Sequence, residues 1–255
     1  MAVNFLGQVI YGTHSEDHLT PGFGDDVYVM TADNFVTDTV DGGRGSDTID
    51  YRQSGVGVDI ELTDPTTAGG ASGGSVVADF PKQIFNPLTH FEHHQVVANL
   101  TSIENATGSN FDDVLTGNSQ DNVLNGAGGN DVLTGGAGHD RFVFSHQSDS
   151  PAVPITAQLI ENLDRITDFT PGQDHIDLRG LANETAGHAP LSFHGGAFSG
   201  EAGEIVESFM SNGTSEGTGF LVAADLDGDR HPDFEIFVNV TEPHVPLVES
   251  DFLLH

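Results

Sequence analysis

Cysteine and tryptophan are absent from this chain of 255 residues, and cations are scarce. Without cysteine, the chain can form no disulfide framework, no thiolate metal site and no cysteine nucleophile. Seven Lys and Arg residues stand against 39 Asp and Glu residues, so the formal net charge is −32. So few cations cannot supply the basic surface that binds nucleic acid or an anionic membrane. We therefore expect no nucleic-acid partner.

Long apolar runs are also lacking. No run approaches the ~18 apolar residues of a membrane span. Residues 1–17 (MAVNFLGQVIYGTHSED) have neither a positively charged start nor a continuous apolar stretch, so we expect no conventional signal peptide. Leu, Ile, Val and Phe nevertheless make up 69 of the 255 residues. This share exceeds the roughly 20% level below which chains stay disordered, and it predicts a folded core.

The most regular pattern in the sequence has a period of nine residues. Four nonapeptides follow one another from residue 108: GSNFDDVLT, GNSQDNVLN, GAGGNDVLT and GGAGHDRFV. Their sixth position holds Asp113, Asn122, Asp131 and Asp140, and their eighth position holds a large apolar residue. Repetition in register favours a repeat architecture over isolated turns.

The same register recurs near the N-terminus. PGFGDDVYV, DNFVTDTVD and GGRGSDTID carry Asp26, Asp38 and Asp47, and GTHSEDHLT carries Asp17. VNFLGQVIY (residues 3–11) has Gln8 where the Asp is expected, as in a degenerate first turn. Atypical terminal repeats are typical of such arrays because they cap the stack.

The repeat unit has the chemistry of a calcium-binding turn. Glycine permits left-handed backbone angles, so the turn can direct carbonyl oxygens inward beside the short Asp carboxylate. Six to eight hard oxygen ligands favour Ca²⁺ over Mg²⁺, which demands a stricter octahedron. Single Asp-rich turns form without metal, but an array in register favours metal binding. The glycines that we expect in these sites are Gly22, Gly24, Gly43, Gly45, Gly129, Gly136 and Gly138.

These nonapeptides resemble the G-G-x-G-x-D-x-U-x calcium-binding repeat of the RTX family. The resemblance implies an all-β fold, a parallel β-roll in which two nonapeptides form one coil. It also implies that calcium ions lie between equivalent units of successive coils. The pairs implied in this sequence are Asp26 with Asp47, Asp113 with Asp131, Asn122 with Asp140, and Asp17 with Asp38.

Residues 51–107 interrupt the period. This stretch resembles the enlarged coils that interrupt RTX arrays, and the resemblance implies an enlarged coil or insertion of one continuous roll. A Gly/Ser linker between two rolls is the alternative. Gly70-Ala71-Ser72-Gly73-Gly74 matches the G-x-S-x-G nucleophile elbow, but it lies in a low-complexity stretch without the required flanking strand and helix. We therefore predict no catalytic residue there.

A histidine-rich segment lies within the same interruption. His90, His93 and His94 could hold Zn²⁺ or Cu²⁺, and a solvated loop is the alternative that we favour. No His in the chain is followed by Glu, so the H-E-x-x-H motif of zinc proteases is absent.

Residues 108–255 resemble the C-terminal module of serralysin-type secreted proteases and the R-modules of alginate epimerases. The resemblance rests on DRFVFSHQSDS, DRITDFTPGQDHIDLRGL, AGEIVE, DLDGDRHPDFEIFV and SDFLLH. It implies a C-terminal antiparallel β region that caps the roll, and it implies that Asp164 and Asp168 cap the last calcium site. Asp225, Asp227, Asp229 and Asp233 form a further D-x-D-G-D candidate loop, for which a solvated hairpin tip is the alternative.

Together these patterns predict four regions: N-terminal repeats (1–50), the interruption (51–107), a second repeat block (108–144) and a C-terminal cap (145–255). By the same resemblance, the ending Asp251-Phe252-Leu253-Leu254 is similar to an uncleaved signal for type I (ABC) secretion machinery. We expect an extracellular or cell-surface, non-enzymatic protein that binds several Ca²⁺ ions. Its expected partners are an extracellular polysaccharide or surface protein, or further copies of itself. The alternative is an accessory or catalytic module of an extracellular enzyme that acts on polysaccharide or protein, with its chemistry in residues 51–107.

Overall fold

The computed structural model describes residues 7–13, 15–20, 23–31, 37–64, 74–80, 93–152, 163–211, 218–241 and 245–255. This part of the chain consists of short β-strands with a few single-turn 3₁₀ helices. The strands are β1 (Val9–Tyr11), β2 (His18–Leu19), β3 (Val27–Val29), β4 (Asp38–Asp41), β5 (Thr48–Asp50), β6 (Val58–Glu61), β7 (Gly74–Phe80), β8 (His93–Thr101), β9 (Asn105–Thr107), β10 (Val114–Thr116), β11 (Val123–Asn125), β12 (Val132–Thr134), β13 (Arg141–Val143), β14 (Asp164–Phe169), β15 (His175–Asp177), β16 (Ser192–Phe193), β17 (Glu204–Ser211), β18 (Thr218–Asp225), β19 (Phe234–Val240) and β20 (Phe252–Leu253). The 3₁₀ helices cover Gln147–Asp149, Leu181–Asn183, Ala186–His188 and Glu249–Asp251. None of these helices has the length and apolar character that a membrane crossing requires.

The strands belong to two sheets, between which the chain alternates in the repeat regions. The first sheet has the order β1-β3-β5-β9-β11-β13-β15-β20, and all of its pairs are parallel. The second sheet has the order β16-β17-β18-β19-β14-β12-β10-β6-β7-β8-β4-β2. Two strands joined by two turns therefore make one coil of a parallel β-roll.

The apolar residue at position eight of each nonapeptide explains why the coils stack. Side chains alternate along a strand, so in a three-residue strand only the middle residue points inward. Leu115, Leu124, Leu133 and Phe142 occupy this position, and all four are fully buried. Leu115 lies opposite Leu133 in the second sheet, and Leu124 lies opposite Phe142 in the first. Each such buried side chain contributes roughly 1.5–3 kcal/mol to the roll's hydrophobic core.

The interruption contributes one strand, β9, to the first sheet and three strands to the second. β5 and β9 are direct neighbours in the first sheet, whereas β6, β7 and β8 lie between β4 and β10 in the second sheet. β7 is antiparallel to both of its neighbours, while β8 pairs in parallel with β4 and β6 pairs in parallel with β10. Both sheets therefore continue across this region of the chain.

The structure also bears on the G-x-S-x-G match. Gly74, the last residue of the match, begins strand β7, so a strand follows it and not the helix of a nucleophile elbow. Gly70, Ala71, Ser72 and Gly73 lie outside the described residues.

The C-terminal region changes from parallel to antiparallel pairing. β14 pairs in parallel with β19, and β19, β18 and β17 then form an antiparallel meander. Phe234, Ile236 and Val238 of β19 are fully buried and join the core. The prediction of an all-β parallel roll with an antiparallel C-terminal region is confirmed.

Candidate metal sites along the edges of the roll

Carboxylates gather in two columns, one at each edge of the roll, because each acidic residue stands at the start of a strand and alternate strands belong to opposite sheets. The first column is formed at the strands of the first sheet and the second column at those of the second sheet. The first column contains Asp26, Asp47, Glu104, Asn122, Asp140 and Asp174. The second column contains Asp17, Asp38, Asp113, Asp131 and Asp164.

One oxygen of the acidic side chain bonds to the preceding coil. The Asp113 N–H donates to Asp131 Oδ1 at 2.8 Å, and the Asp131 N–H donates to Asp164 Oδ1 at 2.9 Å. In the first column, the Asp26 N–H donates to Asp47 Oδ1 at 2.8 Å. Each carboxylate thus satisfies the backbone of the coil before it in sequence.

The structure brings together all four pairs that the repeat spacing predicts. Two of these pairs, Asp113 with Asp131 and Asp26 with Asp47, are described above. In the other two, the Asn122 N–H donates to Asp140 Oδ1 at 2.9 Å, and the Asp17 N–H donates to Asp38 Oδ1 at 3.0 Å. That these pairs bind metal remains a prediction.

The second oxygen of several of these carboxylates is buried without a hydrogen-bond donor. Among the described residues, this holds for Oδ2 of Asp26, Asp47, Asp131 and Asp164, all of which are at most 1% exposed. A buried ionised carboxylate oxygen without a partner is strongly unfavourable. These atoms are therefore the strongest structural indication of a cation.

In several turns, the space beside the column carboxylate exists because the first residue of the turn is glycine. A Cβ atom at Gly126 would lie less than 3.0 Å from Asp131 Oδ2, and one at Gly135 would lie less than 3.0 Å from Asp140 Oδ2. A Cβ at Gly108 would meet both Asp113 Oδ2 and the carbonyl oxygen of Gly126 in the next coil. Carboxylate and carbonyl oxygens from successive coils thus face the same small space.

In two of the turns, one of them the turn that begins at Gly108, the residue after the first glycine bonds to the carboxylate. The Ser109 N–H donates to Asp113 Oδ2 at 2.6 Å, and its hydroxyl donates to both oxygens of the same carboxylate. The Thr13 N–H and hydroxyl bond to Asp17 in the same way. Both residues occupy position two, where the repeat pattern has glycine. Asp113 and Asp17 are therefore satisfied within their own turns.

Asn122 also differs from the aspartates of its column. Its Nδ2 donates to the Glu104 carbonyl oxygen at 2.6 Å and to Asn118 Oδ1 at 3.2 Å. The Asn122 side chain thus has a hydrogen-bond donor, Nδ2, at the position where an aspartate would have its other carboxylate oxygen. Asn122 can thus contribute only its Oδ1 to a cation, and this atom already accepts the Asn118 N–H.

Burial raises the pKa of several of the column carboxylates. Burial, and then repulsion from Asp113, raises the pKa of Asp131 to about 8; burial and repulsion from Asp131 raise the pKa of Asp164 to about 9. Burial also raises the pKa of Asp113 to about 7 and that of Asp140 to about 7. A bound cation would favour the charged form of these groups, because opposite charge nearby lowers a carboxyl pKa.

The predicted glycines have the backbone conformation that the repeat requires. Left-handed backbone angles (φ > 0) occur at Gly24, Gly43, Gly45, Gly129, Gly136 and Gly138. Any other residue would be strained there. Gly22 lies outside the described residues.

The end of the repeat array is closed by carboxylates from the C-terminal region. Asp164 continues the second column, and Asp168 accepts the Gly135 N–H at 2.9 Å and the Gly136 N–H at 2.8 Å. Asp174, which the sequence analysis missed, continues the first column and accepts the Asp140 N–H at 3.0 Å. The signal was present, since Asp174 precedes Ile176 as the repeat Asp precedes its apolar residue.

The D-x-D-G-D segment forms a separate cluster. Carboxylate oxygens of Asp225, Asp227 and Asp229 lie within 4.8 Å of one another. Asp225 already accepts backbone N–H groups from Gly228 (2.7 Å) and Arg230 (2.8 Å). Asp233 accepts the Leu226 N–H at 2.7 Å, so it closes the turn. Metal binding by this cluster remains a prediction.

The histidine-rich candidate lies largely beyond the described structure. His90 is outside the described residues, whereas His93 and His94 begin strand β8. The backbone of these two residues pairs with Phe80 and Asp79 of β7. Zn²⁺ or Cu²⁺ binding there remains an untested prediction.

The oxygen atoms along the two edges are suitable ligands for a hard divalent cation. They consist of carboxylate oxygens and inward-facing glycine carbonyls, which are the ligands that Ca²⁺ prefers. The four partnerless Oδ2 atoms supply acceptors that no described protein group satisfies. The fold and these oxygen atoms together define a parallel β-roll with acidic sites along its edges.

Comparison with known proteins assigns the family. The family model for the Peptidase M10 serralysin C terminal matches residues 9–254. The chain belongs to this family, as the sequence resemblance predicted.

Two individual proteins are also similar to this chain. Metalloprotease AprA of Pseudomonas entomophila (strain L48) is 40% identical over 94 residues, which are 36% of this chain and 16% of that protein. The match thus spans only a small part of that relative's length. The solution structure of the AlgE6R3 subunit from the Azotobacter vinelandii mannuronan C5-epimerase is 24% identical, with a TM-score of 0.27, and the match covers 58% of this chain and 76% of that one.

Proposed function

We propose that this chain is a secreted, calcium-binding β-roll that folds when it binds extracellular Ca²⁺ and that has a non-enzymatic role in surface attachment, matrix or adhesion. The observation that supports this proposal is the set of buried Oδ2 atoms of Asp26, Asp47, Asp131 and Asp164, which have no donor among the described residues. The serralysin C-terminal family, to which the chain belongs, supports it independently.

The arrangement of the ligands couples binding to folding. Each candidate site in the two columns combines oxygens from turns of successive coils, so none of these sites exists in the unfolded chain. A net charge of −32 also opposes compaction. When bound, Ca²⁺ supplies the positive charge that lets these buried carboxylates stay ionised. With extracellular-type affinities of ~10⁻⁴–10⁻³ M per site, the chain is expected to fold outside the cell and to remain largely unfolded in the cytosol.

The position of the C-terminal residues supports export before folding. Phe252 and Leu253, part of the predicted secretion signal, form β20 and pair with β15 at the end of the first sheet. Asp251 is fully buried and accepts the Gly172 N–H at 2.8 Å. A signal held in this way is accessible to type I secretion machinery only while the chain is unfolded.

A second candidate function is that of an accessory module in an extracellular enzyme. The similarity to a metalloprotease, which is 40% identical to this chain over 94 residues, favours this function. In that case the roll would act beside a catalytic part that processes protein or polysaccharide.

Circular dichroism of the whole chain during a Ca²⁺ titration tests the main proposal. We expect a steep, cooperative gain of β-structure between roughly 10⁻⁴ and 10⁻³ M Ca²⁺. Mg²⁺ at the same concentrations is the control and should produce little change. A chain whose spectrum does not respond to Ca²⁺ would contradict calcium-dependent folding.

A further inference from the structure

The connecting segment between the two repeat blocks completes the first column at one position. Asp47 is the last repeat aspartate before the interruption, and in a regular array the next coil would supply its partner. The residue in that place is Glu104, which immediately precedes β9, the neighbour of β5. The Asp47 N–H donates to Glu104 Oε2 at 2.8 Å, as the Asp26 N–H donates to Asp47.

The turn before Glu104 is shorter than a repeat turn, but it places a carbonyl oxygen in the same position. A Cβ atom at Gly42 would lie less than 3.0 Å from both Asp47 Oδ2 and the carbonyl oxygen of Ser102. In the regular repeats, a Cβ at Gly108 would meet Asp113 Oδ2 and the Gly126 carbonyl oxygen in the same way. The Ser102 carbonyl therefore stands where a repeat places the carbonyl of its first glycine.

Backbone geometry shows how the shortened turn achieves this. Ser102 has φ = 51°, a left-handed conformation that is uncommon for a residue other than glycine. Only one residue separates Ser102 from Glu104, whereas four separate Gly126 from Asp131. The longer side chain of glutamate reaches from this shorter turn to the place that an aspartate occupies elsewhere.

An independent observation indicates a ligand at this place. Asp47 is fully buried, and its Oδ2, which faces the Ser102 carbonyl across the Gly42 turn, has no hydrogen-bond donor among the described residues. Asp47 Oδ2 and the Ser102 carbonyl oxygen thus face the same small space, and Glu104 Oε2 lies 2.8 Å from the backbone nitrogen of Asp47. A hard divalent cation would satisfy both oxygens, with the Glu104 carboxylate close by as a further ligand.

We propose that Glu104 and the Ser102 carbonyl, both outside the nonapeptide repeats, complete a Ca²⁺-type divalent cation site with Asp47. This inference rests on the proposed calcium-binding function and adds to it a site that the repeat pattern does not contain. Through this site, the interruption is bound to the N-terminal coils by a cation as well as by the strand pairing of β5 with β9.

Tyr28 offers a local probe for this site. Its ring is fully buried in β3, and its hydroxyl donates to the Asp41 carbonyl oxygen at 3.1 Å, directly before Gly42. The chain has no tryptophan and only three tyrosines. Tb³⁺, which replaces Ca²⁺ in oxygen sites, should therefore emit when Tyr28 is excited, and Tyr28→Phe should remove most of this emission.

The test compares the whole chain with Glu104→Gln and with the matched control Glu61→Gln. Glu61 is exposed at the end of β6. We expect Glu104→Gln to bind one Ca²⁺ fewer in equilibrium dialysis, or to bind it about tenfold more weakly, since charge count sets affinity. The same substitution should reduce Tyr28-sensitised Tb³⁺ emission, and Glu61→Gln should change neither measurement.

The outcomes separate this inference from the proposed function. A wild-type chain that binds no Ca²⁺ would overturn both. A wild-type chain that binds Ca²⁺, with a Glu104→Gln variant of equal ion count and affinity, would overturn the Glu104 site alone. If Glu104→Gln does not fold, Glu104→Asp keeps the charge but shortens the side chain. An unchanged ion count and affinity in that variant, or absence of Tyr28-sensitised emission from the wild type, would equally overturn the site.

Discussion

Several carboxylates in the edge columns have one oxygen that bonds to the neighbouring coil and one oxygen without a hydrogen-bond donor among the described residues. Asp131 Oδ1 accepts the backbone N–H of Asp113 in the preceding coil, while its Oδ2 has no donor among the described residues. The first bond fixes the side chain and stacks the coils. In the proposed function, the second oxygen binds Ca²⁺. A single residue type would thus fix the register of the coils and also supply a metal ligand.

A substitution at Gly126 tests how much the second oxygen depends on the turn. In Gly126→Ala, the new Cβ would lie less than 3.0 Å from Asp131 Oδ2, Cγ and Cβ, so the carboxylate must move. We expect the Ca²⁺ concentration at half-folding to rise on the order of tenfold, which corresponds to about 1.4 kcal/mol. Circular dichroism during a Ca²⁺ titration measures this midpoint.

Gly55→Ala is the matched control for that experiment. Gly55 is exposed, and no atom lies within 4 Å of the position of its Cβ. Its midpoint should stay at the wild-type value. Equal midpoints for the two variants would show that the space beside Asp131 has no role in calcium binding.

At the scale of elements, the three-residue strands depend on one inward side chain each. In β10, Leu115 is fully buried and lies opposite both Ile60 and Leu133, whereas the adjacent Val114 is 41% exposed. Hydrophobic stacking along the roll is therefore concentrated in the middle residue.

Adjacent substitutions in β10 test this distribution. We expect Leu115→Ala to lower the free energy of unfolding by about 2–5 kcal/mol, because it removes buried methyl groups and leaves a cavity. Val114→Ala should change it by no more than about 0.5 kcal/mol. Urea unfolding in excess Ca²⁺ measures both variants, and a similar loss in both would contradict the inward orientation.

Much of this element structure was predictable from the nonapeptide period. The Asp at position six and the apolar residue at position eight mark where each strand begins and which side chain points inward, as Asp131 and Leu133 show. Glu104 was not predictable, because its turn is shortened and the period is lost. Nor did the glycine pattern reveal that Ser109 would satisfy Asp113, since this depends on a side-chain orientation that only the folded turn defines.

For the whole molecule, the buried carboxylates predict a pH dependence in the absence of divalent cations. Burial raises the folded-state pKa of Asp131 to about 8 and that of Asp164 to about 9, against about 3.9 in the unfolded chain. The folded state therefore binds more protons than the unfolded state between these values. Its stability is greatest below pH ~4 as far as these groups are concerned, and it falls as the pH rises towards 9.

Circular dichroism in EDTA measures this effect. We expect the calcium-free chain to gain β-structure as the pH is lowered from about 9 to about 5, because protons then neutralise Asp131 and Asp164. With Ca²⁺ present, a lower pH should raise the calcium midpoint, because protons compete for the same oxygens. A calcium-free chain with identical β-content at pH 9 and pH 5 would contradict the buried, unpaired state of these groups.

The hydrogen bonds of the columns also give the molecule a polarity. At each regular step the acceptor belongs to the later coil and the N–H donor to the earlier one, as in Asp131 to Asp164 and Asp140 to Asp174. An end that lacks an earlier coil leaves spare carboxylate oxygens, which water can hydrate. An end that lacks a later coil leaves backbone N–H groups without their acceptors. The two ends of the roll are therefore unequal. Removing coils from the N-terminal end leaves the acceptors of the remaining coils in place, whereas removing the C-terminal region takes away the acceptors of the last repeat coil.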